Sequence, residues 1–163
     1  MNDQFCAVYI EGDMDKYKAL VREAKRFNDR IISINAYVQS SNDNSLENIL
    51  NRTPIPNDFE LLSIDVDGQD YQIWEKFEGY RPKVVIIEIN SSILPHIEQI
   101  HGPKGQGSSF RSMLLLGIRK GYTCVCHTGN MFFIRNDLVS KLHLKDRYLK
   151  KPELLFLTKW LCS

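Results

Sequence analysis

Three aspartates stand within six residues in the segment LLSIDVDGQDYQIW, at Asp65, Asp67 and Asp70. They directly follow an apolar run, which places them where a buried strand ends and the chain turns. Carboxylates this close repel one another and lose hydration, so a chain that keeps them is expected to use them on hydroxyls, an amine, a metal ion or a proton. In a structural alternative, Asp67 caps a helix that begins near Gln69, and Asp70 in its first turn complements the helix dipole.

Two further apolar runs end in a carboxylate: AVYI leads to Glu11 and VVII leads to Glu88. In open α/β sheets, ligands bind in the crevice outside the carboxyl ends of the strands. We therefore expect Glu11, Asp65 and Glu88 to gather at one rim, provided that their strands are near neighbours. Asn90 follows Glu88 closely and is a candidate for the same site.

The segment SSILPHIEQIHGPKGQGSS supplies two histidines, His96 and His101. Either imidazole is a candidate general base, because its pKa lies near neutrality, and we favour His96; exposure without a role is the alternative. The part GPKGQGSS is similar to a phosphate-binding loop, but Ser108 stands where that motif needs lysine, and no strand leads into it. A loop that closes over a site is the better interpretation.

The DVDG motif admits two other interpretations. Haloacid-dehalogenase phosphatases open with DxDGT near the chain start, whereas here Gln69 replaces the threonine and two strands precede the motif. Glycosyltransferases that use nucleotide sugars hold a divalent metal ion with DxD. A metal-dependent glycosyl or phosphoryl transferase using Asp65 and Asp67 would be stabilised by Mn²⁺ or Mg²⁺. No metal ligand is assigned on this short motif alone.

Composition places the chain among ordinary globular proteins. It has 163 residues, 43% hydrophobic and 25% charged, which suits one domain over 1–163. The net charge of +1 gives no basic footprint for nucleic acid, and no apolar run is long enough to span a bilayer. The start of the chain shows no secretory signal, so a cytoplasmic location is expected. The cysteines form no CxxC pair and are expected to be buried thiols in a reducing environment: Cys6, Cys124, Cys126 and Cys162.

Periodicity predicts strands that alternate with helices, which is typical of an α/β fold with a mostly parallel sheet covered on both faces. Ser45 and either Ser108 or Ser109 are expected to cap helices, and Gly121 is expected to end one. A turn at TGN predicts a C-terminal antiparallel hairpin. The predicted strands are 5–13, 31–38, 59–67, 83–90 and the two of the hairpin within 122–137; the predicted helices are 14–27, 45–52, 68–80, 108–121 and 151–161.

The block SLENIL…IPNDFELLSIDVDGQDYQIWEKFEGYRPKVVIIEINSS resembles the FkbM-type branch of class I S-adenosylmethionine-dependent methyltransferases. That branch shows DLLSIDIDGxDYxIW followed by RPxVVxIEYN. The later SSFRSMLLLGIRKGYTCVCHTGNMFFIR is also similar to it, and the likeness runs from about Glu11 to Arg135. The resemblance implies a Rossmann-like sheet in the strand order third, second, fourth, fifth and then the hairpin, with the last strand antiparallel.

The resemblance also implies roles for particular residues. The acid after the second strand of the fold grips the ribose hydroxyls of the cofactor, and this role falls on Glu11, with Asp13 beside it. The polar loop that contains Asp43 and Asn44 lies where such folds touch adenine. The fourth and fifth strands bring their ends to the methionine moiety and the substrate, and they offer Asp65, Asp67, Glu88 and Asn90.

One feature of the family pattern is missing. Class I methyltransferases bind the cofactor through a first strand and a glycine-rich turn, whereas only MNDQ precedes the YIEGD strand here. We therefore expect an N-terminally truncated domain in which the second and fourth strands pair directly or a partner chain, or a second copy, fills the gap. A split gene product, a domain fragment and a pseudoenzyme all fit this pattern.

The sequence thus predicts a methyltransferase-like protein that acts on an oxygen of a sugar or small metabolite, with S-adenosylmethionine as cofactor. Asp65 or Asp67 is the preferred base, followed by His96, and catalysis would come mainly from positioning. The alternative is a binding or regulatory module without turnover, which the missing glycine loop favours.

Overall fold

The computed structural model describes residues 5–27, 30–103 and 105–159. Within them the chain divides into two compact units, one ending at Pro56 and one beginning at Asn57. Strands and helices alternate along the chain, which confirms the α/β class. One domain over 1–163 stays a prediction. No helix in the described ranges has both the length and the apolar character that a membrane crossing requires.

The first unit is built on two parallel strands, β1 (Ala7–Glu11) and β2 (Ile31–Asn35), in the register Ala7↔Ile31. The connection between them contains helix α1 (Met14–Ala24) and a 3-10 turn, Lys25–Phe27. Asp13 caps α1, because its Oδ1 accepts the backbone N–H groups of the next turn at 2.9 Å. The sequence pattern predicts one apolar face for this helix, formed by Tyr17, Leu20, Val21, Ala24 and Phe27. The first four are half-buried, whereas Phe27 is exposed.

Helix α2 (Leu46–Leu50) follows a polar loop in the first unit. Ser45 Oγ accepts the N–H of Asn48 at 3.3 Å, so the predicted cap is confirmed. The helix buries Leu46, Ile49 and Leu50. Asn42, in the loop before it, has a positive φ of 71°, a conformation that asparagine tolerates better than most residues.

The second unit contains four strands: β3 (Leu61–Ile64), β4 (Val84–Glu88), β5 (Tyr122–His127) and β6 (Asn130–Arg135). They form a mixed sheet in the order β3-β4-β6-β5. Strands β3 and β4 are parallel, with helix α3 (Asp70–Lys76) in the crossover between them. Strand β6 runs antiparallel to both β4 and β5, so the predicted hairpin and the antiparallel last strand are confirmed.

The expected single sheet is not formed by the described residues. Backbone hydrogen bonds join β1 only to β2, and they join β3 only to β4, so the strands fall into two sheets. The direct pairing of β1 with β3 was therefore wrong, and the alternative arrangement, in which a partner chain or a second copy fills the gap, stays a prediction. The predicted neighbours on either side of that junction, β2 with β1 and β3 with β4, are correct and parallel.

The core of the second unit lies on one face of β4, where Val85 and Ile87 are completely buried. Val84 and Ile86, which point to the opposite face, are half-buried, so the predicted cover on both faces of the sheet is incomplete at this strand. Helix α4 (Phe110–Arg119) covers the sheet, and Ser109 rather than Ser108 caps it by accepting the N–H of Ser112 at 3.2 Å. Gly117 of α4 lies against the Phe133 ring, where any Cβ would collide with the ring. Gly121, at a φ of +81°, follows the end of the helix as predicted.

The tail differs from its prediction as one helix over 151–161. Helix α5 (Asp146–Lys150) precedes a short 3-10 helix, Pro152–Leu155, and Pro152 does lie in its first turn. Phe156 is then extended and buried, because its ring stacks on the His127 ring at a centroid distance of 4.7 Å. The sequence pattern predicts an apolar face on that helix, formed by Leu154, Leu157 and Leu161, which could pack on the sheet or dock a partner. Leu154 and Leu157 are exposed, and Leu161 lies outside the described residues.

Candidate functional site

The second unit brings three acidic side chains together at one edge of its sheet. Asp65, Asp67 and Glu88 each place a carboxylate oxygen within 4.8 Å of the others. Asp65 and Asp67 are exposed, and Glu88 is half-buried. We refer to these three residues as the carboxylate cluster.

The parallel pairing of β3 and β4 explains why the cluster forms. Ile64, the last residue of β3, is in register with Ile87, so the next residues, Asp65 and Glu88, leave the sheet at the same edge. Both strands bury alternate apolar residues, which fixes their register and therefore the side of the sheet on which the acids emerge. The rim predicted from the sequence is thus confirmed for Asp65 and Glu88, whereas Glu11 ends a strand of the other sheet.

A strained turn carries Asp67 into the cluster. Asp67 has a φ of +54° and Gly68 a φ of +134°, the latter a conformation that side chains rarely adopt. The buried carboxylate of Asp70 closes this turn, since its two oxygens accept the N–H groups of Val66 at 3.1 Å and Gly68 at 3.0 Å. Asp70 is the first residue of α3, as predicted, but the alternative role of Asp67 as a helix cap is not formed.

The electrostatics of the cluster favour proton uptake. Burial, and then the neighbouring charges of Asp65, Asp70 and Asp67, raise the pKa of Glu88 from 4.5 to about 7. Burial also raises the pKa of Asp70, against the opposing effect of the two N–H groups that it accepts. Glu88 is therefore the member of the cluster that exchanges a proton near neutral pH.

A histidine packs against the strained turn, and it is not the one that the sequence favours. The ring of His101 lies over Gly68, where an added Cβ would be 2.6 Å from Cε1. The N–H of Gly107 donates to His101 Nδ1 at 3.0 Å, which leaves the ring proton on Nε2. His96 is exposed on the same segment and is not part of the carboxylate cluster. The preference for His96 relied on residue type alone. No pattern of residues in the sequence indicates that His101 contacts Gly68.

Asn90, the other predicted residue of this region, is occupied by hydrogen bonds within the protein. Its Nδ2 donates to the backbone oxygen of Gln106 at 2.9 Å. Its Oδ1 accepts the backbone N–H of Ser92 at 3.1 Å and the hydroxyl of Ser92 at 2.6 Å. Asn90 therefore ties the end of β4 to the loop that carries His101, and its role in the chemistry stays a prediction.

The predicted cofactor residues of the first unit lie in two places. Glu11 ends β1, and its Oε1 accepts the N–H of Asp13 at 2.8 Å. The pKa of Asp13 is lowered, mainly by the N–H of Lys16 that its side chain accepts as a helix cap. Asp43 and Asn44 are exposed in the loop before α2. The structure thus brings Glu11 and Asp13 together and leaves Asp43 and Asn44 accessible.

A second polar cluster of the second unit surrounds the buried side chain of His127. The N–H of Leu157 donates to Nδ1 at 3.0 Å, so Nε2 carries the proton and donates to Ser91 Oγ at 2.8 Å. The Ser91 hydroxyl donates in turn to the backbone oxygen of Gly129 at 2.9 Å. A serine beside a histidine is typical of a nucleophile and its base, but here the hydroxyl proton points to a carbonyl and both side chains are buried. This cluster is structural.

A cleft of about 290 Å³ lies at the other end of the sheet, beside Pro82 before β4 and Tyr122 at the start of β5. Two of its basic side chains serve the fold. Lys120 Nζ donates to the backbone oxygen of Phe77 at 2.9 Å, beyond the end of α3, and Arg119 donates to the hydroxyl of Tyr71 at 2.8 Å. The cleft is thus remote from the carboxylate cluster, and Lys120 and Arg119 are engaged within the protein.

The cysteines divide by exposure. Cys124 is buried, which raises the pKa of its thiol to about 12 and keeps it protonated, as expected of a buried thiol. Cys6 is exposed, so the buried interpretation was wrong there, and Cys126 is half-buried. These three described cysteines are free thiols, and Cys162 lies outside the described residues.

The carboxylate cluster is also the set of described residues that could hold a metal ion, because three oxygens within 4.8 Å of one another suit a hard divalent cation.

Comparison of the chain with family models, curated proteins and solved structures found no match.

Proposed function

We propose that the chain is a S-adenosylmethionine-dependent methyltransferase-like protein that methylates a hydroxyl oxygen of a sugar or small metabolite, with Glu88 as the proton acceptor. The observation that carries the proposal is the carboxylate cluster, in which the pKa of Glu88 is raised to about 7. The resemblance of residues 45–92 to FkbM-type methyltransferases supplies the reaction type.

The chemistry asks for a base of this strength. When a hydroxyl oxygen attacks a methyl group, the C–O bond forms, the bond from carbon to the leaving sulfur breaks, and the hydroxyl proton must leave. A carboxylate with a pKa near 7 is ionised in a large fraction of molecules at neutral pH and holds the proton well once it has taken it. Asp65 and Asp67 are exposed and could orient the hydroxyl by accepting hydrogen bonds.

S-adenosylmethionine would supply an electrophilic methyl group when bound. Toward it the chain offers Glu11, whose carboxylate can accept more bonds than the one from the Asp13 N–H and so suits a vicinal diol. Asp43 and Asn44, which are exposed, are the residues proposed for adenine. Without the glycine-rich turn the affinity is expected to be modest.

Calorimetric titration with S-adenosylmethionine and S-adenosylhomocysteine tests this proposal. We expect a Kd near micromolar, about 8 kcal/mol, that is lost in Glu11→Ala. Asp15→Ala is the matched control, since Asp15 is an exposed acid on the neighbouring helix. No binding at millimolar ligand would end the methyltransferase proposal for this chain and favour a module without turnover.

The role of Glu88 has its own test, once a methyl acceptor is found. We expect the transfer rate to rise with pH through about 7, because the base must be ionised, and Glu88→Gln to lose that dependence together with most of the rate. Asp65→Asn separates the alternatives, since a larger loss in Asp65→Asn than in Glu88→Gln would move the base to Asp65.

A second candidate function, a metal-dependent transferase, is favoured by the spacing of the three carboxylates. Mn²⁺ or Mg²⁺ would replace the proton of Glu88 and relieve the repulsion among the acids. We expect either ion to raise the Tm in that case, and Asp65→Asn to remove the effect. An unchanged Tm at millimolar Mn²⁺ would leave proton transfer as the function of the cluster.

A further inference from the structure

The turn that carries Asp67 is held from two sides. From the inside, the Asp70 carboxylate accepts the N–H groups of Val66 and Gly68. From the outside, the His101 ring occupies the space in which a side chain at position 68 would lie. Asp67 keeps a positive φ of 54° between these two supports, a conformation that is uncommon for a non-glycine residue although aspartate tolerates it better than most.

Three hydrogen bonds fix His101 in turn. Its Nδ1 accepts the N–H of Gly107 at 3.0 Å, and its own N–H donates to Ser108 Oγ at 3.2 Å. Its backbone oxygen accepts Nε2 of Gln72, on helix α3, at 2.9 Å. The ring is therefore anchored by the 107–108 part of the loop and by the helix that follows the strained turn, and its position over Gly68 is determined by the fold.

We propose that His101 is a positioning residue, whose ring holds the Asp67–Gly68 turn so that the Asp67 carboxylate stays in the carboxylate cluster. The inference deepens the proposed function, because it concerns the same site. His101 acts through Asp67 and does not itself take the proton. The ring supplies the packing, and the bond from the Gly107 N–H supplies the orientation.

Three substitutions separate these contributions. His101→Ala removes the ring and the acceptor, His101→Phe keeps a ring of similar shape, and His101→Asn keeps a short polar acceptor without the ring. The readouts are the amide exchange rate of Gly68 and the Cα and Cβ chemical shifts of Asp67, which report its φ. His96→Ala is the matched control, because it removes an exposed histidine from the same segment.

We expect His101→Ala to raise the Gly68 exchange rate at least tenfold and to move the Asp67 shifts toward those of a negative φ, with little change in Tm. His101→Phe should restore both signals, and His101→Asn should not. Wild-type signals in His101→Ala, rescue by asparagine rather than phenylalanine, or an equal effect of His96→Ala would each overturn the inference.

A reciprocal test uses the contact with Gly68. Gly68→Ala is costly in the wild type, since its Cβ meets the ring and its φ is positive. The part due to the ring should disappear in the Gly68→Ala, His101→Ala double variant, whereas strictly additive effects would contradict the contact. All these signals come from the free protein, so they decide on His101 even if no methyl transfer is found. If transfer is found, His101→Ala should lower kcat and leave cofactor affinity unchanged.

Discussion

The carboxylate cluster and the His127 cluster are both polar groups at the sheet of the second unit, but they are built in opposite ways. Around His127, each donor meets an acceptor, one tautomer satisfies all three hydrogen bonds, and the ring is closed off by Phe156. In the carboxylate cluster, three like charges face one another with two of them exposed. The His127 cluster completes its hydrogen bonds within the protein, whereas the carboxylate cluster leaves oxygen acceptors available to a ligand or a proton.

This difference separates structure from function better than residue type does. A serine beside a buried histidine is a familiar catalytic pair. Here, however, Ser91 donates to the backbone oxygen of Gly129 and His127 accepts the N–H of Leu157, and these bonds stabilise the fold. The three acids cost stability where they stand, because burial, and then repulsion by the neighbouring acids, raises the pKa of Glu88. A chain keeps such a cost where it serves a ligand or a proton.

The largest expected effect on the free energy of unfolding comes from removing the His127 ring. His127→Ala leaves a cavity beside Phe156 and deprives the Leu157 N–H of its acceptor, so the free energy of unfolding should fall by about 3 kcal/mol. Urea denaturation measures this loss. His143→Ala, at an exposed position, should change the value by less than about 0.5 kcal/mol. A loss below 1 kcal/mol for His127→Ala would mean that the cluster is not structural.

The next effect concerns Asp70, a buried carboxylate that lies outside both clusters and accepts two backbone N–H groups of the turn that carries Asp67. Asp70→Ala removes the acceptor of two backbone N–H groups, and it should lower the free energy of unfolding by about 2 kcal/mol. Asp70→Asn keeps one acceptor oxygen and should cost less than half as much. Exchange of the Val66 and Gly68 amides locates the damage, and equal effects of the two variants would contradict the hydrogen-bonding role.

The third effect is a dependence of stability on pH. The pKa of Glu88 is about 7 in the folded protein and near 4.5 in the unfolded chain, so the folded state holds its proton more tightly between these values. Stability should therefore fall as pH rises from about 4.5 to 7, with a slope of about 1 kcal/mol per pH unit or less after allowance for solvent exposure. Glu88→Gln should flatten this part of the profile. If the wild type and Glu88→Gln showed the same dependence of stability on pH, the slope would belong to other groups.

The smallest effect is the repulsion between Asp65 and Glu88. At pH 8 Glu88 is ionised, and Asp65→Asn, which removes a neighbouring acid, should raise the free energy of unfolding by about 0.5 kcal/mol. At pH 5 Glu88 is protonated, so the gain should disappear. Asp146→Asn, on the exposed helix α5, controls for loss of an acid elsewhere. A gain of equal size at both pH values would show that repulsion by Glu88 is not its source.

The sequence predicts the part of the site that follows from regular strands. Alternating burial in β3 and β4 and their parallel pairing put Asp65 and Glu88 at one edge, and the parallel crossover pairs and the hairpin follow from the same patterns. The predicted direct pairing of β1 with β3 was wrong, because the residue pattern of a strand does not indicate which other strand it pairs with. The methyltransferase fold itself stays a proposal.

The irregular parts escaped prediction for a different reason. His101 reaches Gly68 through a loop whose path depends on three tertiary hydrogen bonds, and no local pattern distinguishes it from His96. His127 looks like the end of an ordinary strand, and its burial depends on Phe156, which leaves the predicted tail helix in order to cover it. In both cases contacts between distant segments override the local signal.

The position of β6 between β4 and β5 has a consequence for synthesis on the ribosome. Strand β4 is made well before β6, which pairs with it in the register Glu88↔Asn130. At about 5–20 residues per second, the edge of β4 waits on the order of seconds for its neighbour. During this interval β4, whose first four residues are apolar, has an open edge, which is a template for aggregation. We expect the nascent chain to need its greatest protection by chaperones between the emergence of β4 and that of the hairpin.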